Sequence, residues 1–366
     1  SLMCARTARG CGASVWGEGV PMGHVLSREG FSRAIKRIGK TRRIYAPQLK
    51  RGEGRFTDVD VVRYDFTDDV DAMELVRRSD YPFKEVLTPL SQTLFFFTEE
   101  QVKIADVDER EVVVVLRACD LNAVRRLDAM YLENGVPDPF YRRIRERLRF
   151  ALLGCDHSQE DCFCVSMGSN VAVGYDFSFD MDEETGEVRV DVAADDLRPY
   201  FADEALREEE VTPRHVDAND VEVRVPAEVP NAIYTDAMWD EYTQRCIKCG
   251  RCNLVCPTCT CFTMQDAYYS DNGRVGERRR VMASCMIDGY TNVAGGGSYR
   301  KAAGDRMRFK VLHKVYDFRR RFGYDMCVGC GRCDSVCPEY ISFSGCVNKL
   351  AGTVDALAAK EVADHA

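Results

Sequence analysis

Cys246-Ile-Lys-Cys249-Gly-Arg-Cys252-Asn-Leu-Val-Cys256-Pro-Thr-Cys259-Thr-Cys261 is the stretch from which the rest of the chain can be read, and its first half recurs as Cys327-Val-Gly-Cys330-Gly-Arg-Cys333-Asp-Ser-Val-Cys337-Pro338. Both copies spell Cys-x2-Cys-x2-Cys-x3-Cys-Pro, the thiolate spacing that holds 4Fe-4S clusters in bacterial electron carriers. Three thiols two residues apart wrap a loop around one cube of iron and sulfide. The fourth faces away and, in two-cluster proteins, ligates the other cube. The spacing therefore assigns Cys246, Cys249, Cys252 and Cys337 to one cluster, and Cys327, Cys330, Cys333 and Cys256 to the second. Gly250, Gly329 and Gly331 permit tight turns, and Pro257 and Pro338 end whatever helix follows the third cysteine.

Structural zinc is the competing reading, because Cys-x2-Cys pairs also build tetrahedral sites. Zinc ribbons, however, use two pairs and not two complete four-cysteine runs that each end in proline. Small apolar residues at Ile247, Val255, Val328, Val336 and Ile341 suit a site from which water is excluded. The 64 residues between Cys261 and Met326 are a long insertion for a ferredoxin-like unit, and Arg278, Arg279 and Arg280 within it read as a docking surface for an acidic partner.

With 366 residues the chain can bury more than one core, and 45% hydrophobic with 30% charged residues is ordinary for a globular protein. No apolar run approaches the roughly 20 residues that span a bilayer. The 18 cysteines are the abnormal feature. Clustered at ligand spacing in a large chain without a signal-peptide pattern, they point to metal in a reducing, cytoplasmic setting and not to disulfides. A net charge of -9 argues against nucleic acid as a partner.

Taken in order, residues 1–24 read as a flexible lead-in with Met3 and Met22 as possible starts. Residues 25–235 read as an α/β domain with a mixed sheet. Ser27 caps a helix whose apolar face is Phe31, Ala34, Ile35 and Ile38. Strands are expected at 42–47, 59–64, 94–97, 111–117, 149–154 and 170–175, helices at 70–78, 121–131 and 139–147, and a hairpin at 177–192. The Pro-punctuated segment 195–230 reads as helical and as the domain boundary. Residues 236–346 read as an α-helical, dicluster ferredoxin-like domain, and 347–366 as a terminal helix and tail.

Cys119 and Cys155 fall at the carboxyl ends of two such strands, where open α/β sheets place ligands, and Cys162-Phe163-Cys164 follows closely. If that short step is extended, both thiols face one way. These four cysteines suggest a third 4Fe-4S cluster, with inert buried thiols as the alternative. Cys4, Cys11, Cys259, Cys261, Cys285 and Cys346 are left without a role. No Gly-x-Gly-x-x-Gly follows a strand, and the five histidines are unclustered, His157 beside Cys155 being the one to check. The chain thus has electron-carrying ligands and no substrate site of its own, so the chemistry belongs to a partner.

Several segments resemble one family. Cys256-Pro-Thr-Cys-Thr-Cys-Phe-Thr-Met-Gln-Asp266, Ala283-Ser-Cys-Met286, Ala294-Gly-Gly296 with Arg300, Ile44-Tyr-Ala-Pro47, Phe83-Lys-Glu-Val-Leu87 and Cys162-Phe-Cys-Val-Ser-Met-Gly168 are similar to the iron-sulfur electron-transfer subunit of anaerobic sulfite reductases. The likeness spans roughly residues 27–346. Tyr81 departs from it, standing before Pro82 where the family carries serine. The beta subunits of soluble nickel-iron sulfhydrogenases share the cluster motifs. What the resemblance implies is a three-subunit oxidoreductase: a flavin subunit takes hydride from NADH, this chain passes electrons singly, and a sirohaem subunit reduces sulfite to sulfide. A nickel-iron partner is the alternative.

Overall fold

A computed structural model describes residues 22–54 and 58–364. The chain opens with β1 (Met22–Ser27), α1 (Arg28–Gly39), β2 (Arg43–Lys50) and β3 (Val61–Phe66), followed by β4 (Ser91–Phe97), β5 (Val102–Ile104) and β6 (Val112–Leu116). Then come α2 (Ala118–Leu132), α3 (Pro139–Arg145), β7 (Leu148–Leu153), β8 (Phe177–Met181), β9 (Glu187–Val192), α4 (Arg198–Ala202) and β10 (Ala205–Glu210). Met22–His24 thus belong to a strand and not to the lead-in; the rest of that segment, with Cys4 and Cys11, lies outside the described residues.

Eight strands form one mixed sheet in the order β10-β1-β9-β8-β7-β6-β2-β3. Its centre is parallel: β2 pairs with β6, β6 with β7, and β7 with β8. Val112–Leu116 sit there because parallel strands are covered on both faces, which suits an unbroken apolar run. Val113 and Val115 face α1 through Phe31, Ile35 and Ile38, whereas Val114 and Leu116 face α2 and α3 through Leu121, Val124 and Tyr141. The Ser27 hydroxyl accepts the Gly30 N–H at 3.0 Å, so α1 begins where its cap dictates.

Three expectations fail. Only Val70–Ala72 of 70–78 is helical, a 3-10 turn, because the Glu74 carboxylate accepts the Val76 and Arg77 N–H groups and folds the chain into a turn. Residues 170–175 are irregular, with Gly174 left-handed at φ +87°. In 195–230, α4 is only five residues long and β10 pairs along β1, His24 opposite Glu208, so the acids form a strand at the sheet edge.

The second half continues with α5 (Asp240–Arg245), α6 (Arg251–Leu254), β11 (Phe262–Tyr268), β12 (Gly276–Met282), α7 (Ala303–Leu312), α8 (Phe318–Phe322), α9 (Arg332–Ser335) and α10 (Phe343–Asp364). An all-helical unit is therefore incorrect. β11 and β12 form a hairpin that joins β4 and β5 in a separate sheet, β11-β12-β4-β5. Cross-strand pairing explains it: the Arg278 guanidinium meets the Asp266 carboxylate at 2.7 Å, with Asp266 directly opposite Arg278 in the register. In the same hairpin Arg279 is paired with Glu277 and Arg280 with Asp138. The apolar core of this half gathers Ile233, Trp239, Tyr242, Met286, Val311, Val315, Phe343 and Leu350 around the cysteine motifs. Among the described residues no helix is long and apolar enough to cross a membrane.

Candidate functional site

The two motifs fold alike because their sequences dictate it. α5 ends at Cys246, Gly250 turns left-handed at φ +75°, and the single helical turn α6 carries Cys252. In the second copy Gly331 turns at φ +71° and α9 carries Cys333. Cys246 has Cys252, Cys249 and Cys337 as its thiol neighbours. Cys256 lies instead with Cys327, Cys330 and Cys333. Cys337 thus lies near the first motif and Cys256 near the second. The first set walls an apolar cavity closed by Met286, Met307, Ile341 and Phe343.

The remaining four cysteines also meet. Cys119 lies in the first turn of α2, and Cys155 follows β7 directly beside it in the parallel sheet. Cys155 neighbours Cys162, and Cys164 neighbours both. Cys119 sees Cys330 and Cys164. Both the Cys162 and the Cys164 thiols are buried. The Arg117 guanidinium fixes the strand ends by donating to the carbonyls of Leu75, Val76 and Gly154. The His157 ring pairs with Asp156, and its backbone carbonyl accepts from the Cys155 thiol at 3.5 Å.

This third group is seated on the second motif. Phe163 N–H donates to Gly329 O at 2.8 Å and Ser169 Oγ to Val328 O at 2.6 Å. A Cβ at Gly329 would come within 2.4 Å of Phe163 O, so only glycine fits. The contact is locked by a buried ion pair: Arg332 Nη1 and Nη2 bind the two Asp120 oxygens at 2.7 Å each, and Arg332 Nε donates to Ser79 O.

Burial disfavours charge, so the Cys327 thiol is pushed up to about 12 and that of Cys164 to about 11. Cys256 is the exception. Its neighbour Cys259 donates a hydrogen bond to it, and Lys314 and Lys84 stand close, which lowers it. The lysines are the functional residues that sequence reasoning missed. Lys84, Lys310 and Lys314 are all buried, and among the described residues none has a carboxylate partner. The Lys84 ammonium donates to the carbonyls of Asn253, Cys256 and Cys259, and that of Lys314 to Thr258 Oγ1. Burial pulls Lys310 down, yet Cys252, Cys333 and Cys259 raise it above its ordinary value. Only the Phe83-Lys-Glu-Val-Leu87 resemblance pointed near Lys84; the other two sit in a basic helix that reads as surface.

The lysines test whether anionic clusters fit. Buried ammonium groups without counter-charge are costly, and thiolate-ligated cubes would supply negative charge beside them. Among the described residues, moreover, no three His, Cys, Asp or Glu side chains converge closely enough to hold a single metal ion. A π-helical turn, His313–Asp317, lies between α7 and α8, and the Lys314 carbonyl accepts the N–H groups of Met326 and Cys327, delivering the second motif to its place.

Cys259, Cys261 and Cys285 line a second cavity with Tyr290, Lys310, His313 and Lys314. Cys285 and Tyr290 hydrogen-bond to Cys261 and hold its thiol down at about 6. Asn253 Nδ2 lies 3.1 Å from the Cys285 sulfur.

Comparison with known proteins agrees with the cysteine geometry. The 4Fe-4S dicluster domain family matches residues 245–341, which implies two 4Fe-4S clusters. Sulfhydrogenase 2 subunit beta of Pyrococcus furiosus is 28% identical over 337 residues, covering 86% of this chain and 94% of that protein. No solved structure matches. The chain is an iron-sulfur electron-transfer protein related to a component of an oxidoreductase complex.

Proposed function

We propose that this chain is the electron-relay subunit of a multi-subunit oxidoreductase of the sulfhydrogenase type and carries three 4Fe-4S clusters. Cys246, Cys249, Cys252 and Cys337 would hold one, Cys256, Cys327, Cys330 and Cys333 the second, and Cys119, Cys155, Cys162 and Cys164 the third. Such clusters accept and release single electrons when bound. The protein's own part is to bind them, exclude water and supply counter-charge. Lys84, Lys310 and Lys314 stabilise the anionic ligand sets. Phe163, Ser169 and the Asp120–Arg332 pair hold the third set against the second, and the crossed thiols Cys256 and Cys337 interlock the second with the first. The observation that carries the reading is this crossing, which joins segments about 80 residues apart as a two-cluster protein requires.

A sirohaem partner that reduces sulfite, with a flavin subunit oxidising NADH, is the second reading. The segments Cys256–Asp266 and Cys162–Gly168 favour it; the 28% identity to a sulfhydrogenase subunit favours the first. Both need the same relay. Iron and acid-labile sulfide in anaerobically purified protein should reach about 12 of each per chain, and about 8 if the N-terminal cysteines hold no cluster. Stoichiometric zinc in place of iron would overturn the proposal. Nickel in the co-purified complex selects the first partner, and sirohaem absorbance the second.

A further inference from the structure

The two motifs are near copies, and their surroundings differ in one consistent way. In the second, Val328, Gly329, Cys330 and Arg332 are all buried beneath the loop of Asp161–Cys164 and the start of α2. Of the matching positions in the first, Ile247, Cys249 and Arg251 are exposed, and Lys248 is half-buried and paired with Asp288. Ile247 is 57% exposed, and Cys249 is the one exposed thiol among the described cysteines. Position 248 makes the same left-handed turn as Gly329, φ +61° against +59°. A lysine is accommodated there, with its ammonium 3.2 Å from Asp288 Oδ2, whereas at Gly329 the Phe163 carbonyl leaves no room for a Cβ. Arg332 is met by Asp120; Arg251, its counterpart, makes no ion pair or side-chain hydrogen bond among the described residues. Apolar side chains rim the bare loop: Ile287 is 42% exposed and Tyr340 is 88% exposed, the latter held by a left-handed backbone at φ +50°. Non-glycine residues in that conformation are strained and gather where a function requires them.

We infer that the loop Ile247–Arg251, with Ile287 and Tyr340, docks a second redox protein, which covers Cys249 and presents an aspartate or glutamate to Arg251. The N-terminal cysteine group covers the second motif in this manner, with Asp120 as its carboxylate. The first motif offers the same seat, with the same arginine, to a separate chain. The partner chemistry follows: an apolar patch with one carboxylate at its centre, next to that protein's own redox centre. This rests on the relay reading and adds the surface and the kind of partner.

The test uses the complex co-purified through a tag on this chain, with iron counted in the same preparation. Amide hydrogen exchange is compared between the isolated chain and the complex, and carbodiimide cross-links are mapped from Lys248. Protection of 246–252 and 338–341 in the complex, with Lys248 joined to an acidic residue of another redox protein, supports the inference. Arg251→Glu should then lower recovery of the partner at least tenfold with iron per chain unchanged, and Arg251→Lys should restore most of it. A complex that leaves 246–252 unprotected, or cross-links that join only two copies of this chain, overturns it. So does an Arg251→Glu variant that recovers its partner in full. A chain without iron sinks the relay reading instead, which the iron count reveals independently of the exchange data.

Discussion

Asp120→Asn is the sharpest perturbation of the fold. The Asp120 and Arg332 side chains are each 1% exposed, and their two 2.7 Å bonds join the α/β half to the second cysteine motif. Asparagine keeps the shape but removes the charge, leaving the guanidinium with the Ser79 carbonyl and hydroxyl as acceptors. Breaking one side of a buried pair costs roughly 3–5 kcal/mol, because the remaining charge stays desolvated. At about 1.4 kcal/mol per decade, that is on the order of 10²- to 10³-fold in the folding equilibrium. Removing both charges with Asp120→Asn and Arg332→Met should cost less than the single change, since no bare ion remains. The assay is anaerobic urea unfolding of the loaded protein, followed by cluster absorbance and by fluorescence. An Asp120→Asn variant within about 1 kcal/mol of wild type, or a double variant no more stable than the single one, would refute the reasoning.

Other perturbations separate ligands from neighbours. Cys256→Ser should lose about 4 iron atoms per chain while Cys259→Ser keeps them, and the reverse pattern on iron analysis would exchange their roles. Gly329→Ala, whose Cβ would meet Phe163 O at 2.4 Å in a left-handed turn, should lower the urea midpoint by the equivalent of roughly 1–3 kcal/mol. Lys248→Gly at the matching position, which relieves the left-handed backbone and gives up only the partly exposed Asp288 pair, should instead stabilise by up to about 1 kcal/mol. Burial lowers the pKa of His24, whose ordinary value is 6.5, so the fold holds a neutral imidazole. Its contribution is complete above pH 6.5 and is lost as pH falls through the lowered value. Wild type should therefore lose up to about 1.4 kcal/mol per pH unit more than His24→Leu in that window, read from thermal midpoints.

The cysteine spacing made the dicluster unit legible, because ligand geometry constrains sequence directly: residues 246–256 and 327–337 admit few other shapes. The central strands were equally open to reading, since Val112–Leu116 can be buried on both faces only inside a parallel sheet. What escaped depends on contacts distant in sequence. β11 and β12 looked like part of a helical insertion because the exposed residues of β11 carry little periodicity, and the pairing of β12 is with β4, a segment about 180 residues earlier. Residues 70–78 carry a helix-like pattern, but Glu74 spends its carboxylate on local N–H groups. Lys310 and Lys314 looked solvated because a basic helix is usually a surface; their burial follows from the thiols that surround them.

Those lysines bear on how the chain is assembled. Lys84 comes from the α/β half, whereas Lys310 and Lys314 come from α7 and the π-helical turn after it, yet all three point at one group of cysteines. Without metal, burial keeps the Cys327 thiol protonated at neutral pH, and only the lowered Cys256 and Cys261 thiols set negative charge near the ammonium groups. Cluster insertion requires thiolates and expels those protons, and it supplies the negative charge that the lysines lack. Each requirement is costly alone, and each offsets the other. The halves of the molecule are therefore joined by an electrostatic balance that is complete only in the loaded state. In this respect the buried lysines are as much a part of the candidate centres as the cysteines that would hold the iron.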